Sequence, residues 1–262
     1  MDDAAVLFVL READLAAELP RLGGMARPTC VAIVSERVMC FSDAVDGTLR
    51  VTAVPQVRGR AARLPFLRGL VKLFAALAPL FSRRSSTRRP EKLLMLAVLA
   101  APLPLALLPS GYRVVALPVL TIALAAWMLR GRTLRLHGAE HRAIAAAESR
   151  SLVAAWHGDA RPTRFSPRCG TNFAALLIPV STLLDRLWVL PTAALTPMLV
   201  TLVSLMVTME IWLAIQRTPG RLGRLVVLPG LLLQRVTTRE PTLADTRVAL
   251  RAVAGVLDAH RR

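Results

Sequence analysis

Apolar positions along this chain change rhythm from segment to segment, and each rhythm predicts a different element. Residues 1–20 put their apolar side chains on one face of a short helix, and the pair Gly23-Gly24 breaks that pattern. The stretch "TCVAIVSERVMCFSDAVDGTLRVTAV" (29–54) is rich in β-branched residues that roughly alternate, with a turn at Asp46-Gly47, and predicts two or three strands. "RLPFLRGLVKLFAALAPLF" (63–81) predicts a helix whose Arg68 and Lys72 share one face, opposite a broad apolar one. Such a helix suits a membrane surface, and a soluble core helix fits the stretch equally well.

Longer apolar runs follow the basic hinge "SRRSSTRRPEK" (82–92): residues 93–109, 114–129, 172–184 and 189–215. A bilayer-spanning helix needs roughly 17–25 residues, so these predict about four spans. They pair as two hairpins, and the third run is short enough to be partly re-entrant. Pro102, Pro104 and Pro118 are tolerated in membrane helices. The predicted fold is mainly α, a polytopic helical membrane protein with a small N-terminal β-containing cytoplasmic segment. Its parts are 1–60 (small α/β segment), 61–92 (interfacial helix and hinge), 93–130 (first hairpin), 131–171 (cytoplasmic motif segment), 172–216 (second hairpin) and 217–262 (C-terminal helices). In the last part, Thr242 or Asp245 caps a final helix that buries Leu243, Val248 and Leu250.

Composition turns this pattern into a topology. Of the 262 residues 54% are hydrophobic, yet the net charge is +17. A soluble globule rarely combines the two; a membrane protein with basic flanks does. Segments 82–92, 130–171 and 217–224 are Arg-rich, which places both termini of a multi-pass plasma-membrane protein on the cytoplasmic side. The arginines beside apolar runs point to the lipid bilayer as partner. Aromatic residues make up 5% of the chain and do not alternate with basic ones, which argues against nucleic acid. Cys30, Cys40 and Cys169 form an odd set without a CxxC pair, as reduced thiols do.

The chemistry concentrates in "LHGAEHRAIAAAES" (136–149). His137 and His141 lie about 6 Å apart along a helix axis and can share one metal ion. Glu140 completes the order H-x-x-E-H, in which the glutamate of inverted zinc peptidases is the general base. Glu148 shares the histidine face but stands about 13 Å further along a straight axis, too far for the same ion. It belongs to a second site, a salt bridge or a helix break. The missing ligand comes from Glu210, an acid within an apolar span, or from Cys169 in the turn "SPRCGTNF". Each residue has a plainer reading beside this one. The two histidines also suit the wet headgroup region, Glu210 a pairing with Arg217 or a neighbouring helix, and Cys169 a small buried side chain. His157 and His260 read as solvent-exposed.

The segments "RLPFLRGLVKL", "LHGAEHRAI", "PRCGTNF" and "PGLLLQRVTTREP" occur together in an order that resembles the YqhQ-like family of bacterial membrane proteins. That family is a domain of unknown function described as predicted metal-dependent enzymes, and the resemblance covers roughly residues 60–255. It implies functional positions at His137 to His141, Glu148, Pro167 to Thr171, Glu210 and the corner Gln234 to Pro241, which includes Thr238, Arg239 and Glu240. Two departures stand out: Ser166 replaces a histidine, and the glycine-rich N-terminal segment is reduced to "GGMARPT".

Two functions of different classes follow. One is a hydrolase-like enzyme at the cytoplasmic membrane face, with a divalent metal such as zinc on His137, His141 and Glu210 or Cys169. Glu140 then activates water, and Arg168 and Arg239 bind an anionic substrate group. The other is a non-enzymatic membrane factor that docks on a membrane-protein partner, with His137, Glu148, Arg168 and Glu240 fixing the fold. A transporter is a weaker third, because no internal repeat supports it.

Overall fold

The computed structural model describes residues 1–55, 63–81, 132–189, 195–217 and 220–261, with isolated positions between 93 and 126. The basic hinge lies outside these residues, and so does the first predicted hairpin apart from those positions. The described chain is mainly helical, with an antiparallel sheet near its N-terminus.

Helix α1 (Asp3–Leu15) starts where the Asp2 carboxylate accepts the Ala5 N–H at 2.8 Å. It buries Val6, Val9, Leu10 and Ala13, spaced as one helical face. The sheet follows as a meander, β1 (Gly23–Ala26), β2 (Cys30–Val34), β3 (Val38–Asp43) and β4 (Leu49–Ala53), each strand antiparallel to the next. The expected turn holds: Asp43 and Asp46 accept N–H groups of Val45 and Thr48, and Gly47 takes a φ of 70°. The glycine pair read as a break is instead strand β1. Its Gly24 is where the backbone comes closest to a helix: a Cβ there would stand 2.9 Å from the Glu140 side chain.

Helices α2 (Leu67–Phe81), α3 (Thr133–Glu148), α4 (Leu152–His157), α5 (Gly170–Leu187), α6 (Thr196–Arg217), α7 (Arg221–Thr237) and α8 (Leu243–Arg261) complete the described fold. The centre of the first body is α8, which packs on α3, α1, α4 and the sheet. Its run from Val248 to Leu257 is buried apart from Arg251. Small residues let it approach β3, where a Cβ on Gly255 would lie 2.4 Å from the Cys40 sulfur. Burial pushes that Cys40 thiol up to about 12, marking it as a packing residue. Asp14 joins α1 to α4 by accepting the N–H groups of Leu152 and Val153 at 2.9 and 3.0 Å.

The second body is apolar on its outside. α5 packs on α6 and α7, and α2 packs on α6. Leu183, Leu187, Leu202, Leu225, Leu228 and Leu232 are all exposed. Among the described residues, Thr196–Gln216 of α6 is the one stretch long and apolar enough to cross a membrane. Its 21 residues span about 30 Å at 1.5 Å each. α5 is longer than the predicted 172–184 and continues through Pro179. Arg68 of α2 does not lie free on the surface but turns to Glu210 of α6.

The start of α8 is a reciprocal cap. Thr242 Oγ1 accepts the Asp245 N–H at 3.1 Å, and the Asp245 carboxylate accepts the Thr242 hydroxyl at 2.8 Å. Asp245 also accepts from Arg132 and, at 3.2 Å, from Arg135. Leu243, expected in the core, is 39% exposed because it stands in the first turn beyond this cap; Val248 and Leu250 are buried as expected. Burial raises the Asp245 carboxyl, but hydrogen bonds from Thr242 and Arg132 outweigh it and hold the group below the usual range. Replacement Asp245→Asn should therefore lower unfolding free energy at neutral pH by about 1–3 kcal/mol. A depressed folded-state pKa stabilises fully above the unfolded value of about 3.9 and fades as pH falls through the folded value. Denaturant titrations should show the gap between the two proteins shrinking on acidification; a widening gap contradicts the assignment.

Candidate metal centre

Helix α3 is Ala-rich and carries its polar groups where other segments cross it. The rings of His137 and His141 stack edge-on, with centroids 4.5 Å apart. Each is fixed through Nδ1 by a backbone carbonyl: Thr237 at 2.8 Å for His137 and Arg164 at 2.7 Å for His141. A carbonyl only accepts, so each Nδ1 carries the proton and donates. The neutral ring then keeps a lone pair at Nε2. One ring nitrogen from each histidine and the Cys169 Sγ lie within 4.8 Å of one another, and His137 Nε2 stands 3.2 Å from that sulfur.

His141 Nε2 is buried and, among the described residues, has no hydrogen-bond partner. An unsatisfied buried acceptor costs about 1–3 kcal/mol, which a metal bond at the same lone pair offsets. Two imidazoles and a thiolate are donors suited to zinc and similar ions. On these grounds the three residues fit a metal ion.

Cys169 reaches the cluster as the N-cap of α5, where its sulfur accepts from the Thr171 hydroxyl at 3.3 Å and, more weakly, from the Thr171 N–H at 3.5 Å. The preceding loop is clamped by a buried amide pair. Gln234 accepts the Ser166 N–H and donates to the Ser166 carbonyl, both at 2.8 Å, and Asn172 donates to that carbonyl at 2.9 Å. Gly230 makes room, since a Cβ there would overlap the Asn172 amide at 2.1 Å. Ser166, which the resemblance marks as a lost histidine, thus works through its backbone.

Glu140 is 4% exposed beside Gly24. Burial pushes its carboxyl up to about 7, and the proximity of His137 draws it back in part.

The other expected residues are placed as follows. Glu210 is not in the cluster: it accepts the Phe66 N–H and the Arg68 Nε–H, each at 2.9 Å, and the third side chain beside the two histidines is Cys169. Phe66 adopts a φ of 66°, uncommon for a bulky side chain, to aim its N–H at that carboxylate. Glu148 pairs with Arg168. Glu240 takes Arg142 at 2.6 Å and Arg164 at 3.6 Å. The Thr238 carbonyl accepts from Arg164 at 2.7 Å. Arg239 has an exposed side chain, and its peptide N–H donates to the Leu134 carbonyl at 2.9 Å. His157 is exposed as expected, whereas His260 is half-buried. Sequence reasoning missed Arg164 and gave no role of their own to Thr237, Asn172 and Gly24, which lie in the quoted segments but act through a carbonyl, an amide and a missing Cβ.

A helical chain with a small antiparallel sheet and a buried His–His–Cys cluster is the class these features define. A family model described as protein of unknown function (DUF1385) matches residues 89–259, and the chain belongs to that family. The YqhQ-like resemblance is consistent with it. No curated protein and no solved structure matches the chain significantly.

The glycine of the H-G-A-E-H string has a structural reason. A Cβ on Gly138 would meet the Arg239 carbonyl at 2.2 Å and Pro241 at 3.3 Å. Replacement Gly138→Ala should push the corner off α3 and lower unfolding free energy by about 1–3 kcal/mol. Chemical denaturation measures this, and a value equal to the parent's refutes the close approach.

Proposed function

We propose that this is a multi-pass bacterial plasma-membrane protein, with both termini cytoplasmic, that works as a metal-dependent, hydrolase-like enzyme at the cytoplasmic face. The observation that carries the metal reading is the pair of Nδ1-anchored histidines clustered with Cys169: His137 Nε2 faces the sulfur, and His141 Nε2 is buried with no partner among the described residues. The membrane reading rests on α6, the exposed leucines around it and the Arg-rich flanks. Zinc is the ion we propose, because it favours nitrogen and thiolate donors.

His137, His141 and Cys169 hold the ion. A divalent cation bound there supplies Lewis acidity toward water or a substrate carbonyl or phosphoryl oxygen. Glu140 accepts a proton at its carboxylate and returns it to the leaving group. Arg168, next to Cys169 in the chain, and Arg239, on the corner over Gly138, receive an anionic part of the substrate.

One observation favours the non-enzymatic alternative, a membrane factor that docks on a partner protein. The Arg142–Glu240–Arg164 and Arg132–Asp245–Arg135 groups join separate segments, as purely structural clusters do.

Elemental analysis of the purified protein decides between them. Near-stoichiometric metal is expected, lost in the His137→Ala/His141→Ala protein and depleted in Cys169→Ser. Glu210→Gln and Glu140→Gln should keep it, and Glu140→Gln should abolish turnover. Metal content untouched by the double histidine replacement would falsify the metal reading.

A further inference from the structure

A second feature lies off the metal cluster. Arg21, in the link between α1 and β1, and Arg168 together line two cavities. The first, about 200 Å³, holds Glu148, which answers the charge of Arg168. The second, about 290 Å³, is different. Beyond the two arginines it is lined by Ile215, Gln216 and Val227, together with glycines at the start of α7. No acidic residue lines it.

Among the described residues Arg21 has no ion-pair partner, so one guanidinium in this cavity is unanswered. Arg168 is only partly exposed, and its proton affinity is lowered first by burial and then by the charge of Arg21. Arg21 is exposed and Arg168 partly buried, and two like charges that line one cavity are drawn toward an anion placed between them. Guanidinium forks match phosphate oxygens bidentately. The apolar wall joins Ile215, at the C-terminal end of the candidate span, to Val227 of α7, which on the membrane reading proposed above is the level of the lipid headgroups.

We propose that this cavity binds a phosphate-bearing anion between Arg21 and Arg168, with the Ile215–Val227 wall receiving an attached apolar chain. The site shares Arg168 with the anionic subsite proposed above, but among the described residues no member of the His–His–Cys cluster lines the cavity, so anion binding here is measured apart from metal content. The phosphate has two possible sources, a phospholipid headgroup or a free phosphate monoester.

Calorimetric titration of the full-length protein in neutral detergent tests this, with short-chain phosphatidylglycerol and glycerol phosphate as probes. One saturable site is expected. Arg21→Gln should weaken it at least about tenfold, with Arg21→Lys partly restoring it. Arg50→Gln, which removes an exposed charge on β4, should leave it unchanged. Tighter binding of the lipid assigns the site to headgroups, and equal binding assigns it to the free monoester. Absence of saturable binding for both probes, or equal losses in Arg21→Gln and Arg50→Gln, overturns the proposal.

Discussion

The contact on which the described structure turns is backbone against backbone: the Arg239 carbonyl lies where a side chain at Gly138 would be. That approach sets the corner 237–241 onto helix α3. From there Thr237 offers its carbonyl to His137, and Thr238 receives Arg164, whose own carbonyl orients His141. Glu240 answers Arg142, a guanidinium whose side chain is 9% exposed and costly to bury unpaired. The same corner leads straight into the Thr242 cap of α8. One missing methyl thus couples the histidine pair to the helix at the centre of the first body.

The cluster is built by segments that supply constraint more than chemistry. Neither histidine is oriented by a carboxylate; both rely on main-chain carbonyls, whose positions depend on the loops that bear them. Those loops are in turn held by Gln234, which is fully buried and bonded to both backbone atoms of Ser166. A ligand set arranged in this way is only as well ordered as its supporting shell.

Much of the local structure could be read from the sequence, because period and capping are local properties. The face of α1, the turn at Gly47 and the cap at Thr242 follow from neighbours within a few residues. Helix rise alone separates Glu148 from the histidines, and that carboxylate pairs with Arg168. The choice between Glu210 and Cys169 was not legible. An acid in an apolar run suggests a ligand, yet the run cannot show that α2 delivers an arginine and an N–H to it. Gly23-Gly24 reads as a break because glycine usually marks one. Here the backbone is extended, and the absent Cβ serves a distant glutamate.

The embrace between α8 and the sheet also has a consequence in time. Strands β2 and β3 are made first, and the helix that fills their face, with Gly255 seated on Cys40, is made only after helices α2 to α7. Contacts of such long range close a large loop and form late. The early strands must wait, half-covered, while the apolar helices between them and α8 find their place. Assembly of the cluster is therefore a late event: the thiol and the carbonyl that holds the second histidine come from the intervening loop, and the corner that anchors the first histidine arrives just ahead of α8. A chain stalled before that point has the H-G-A-E-H string but not the site.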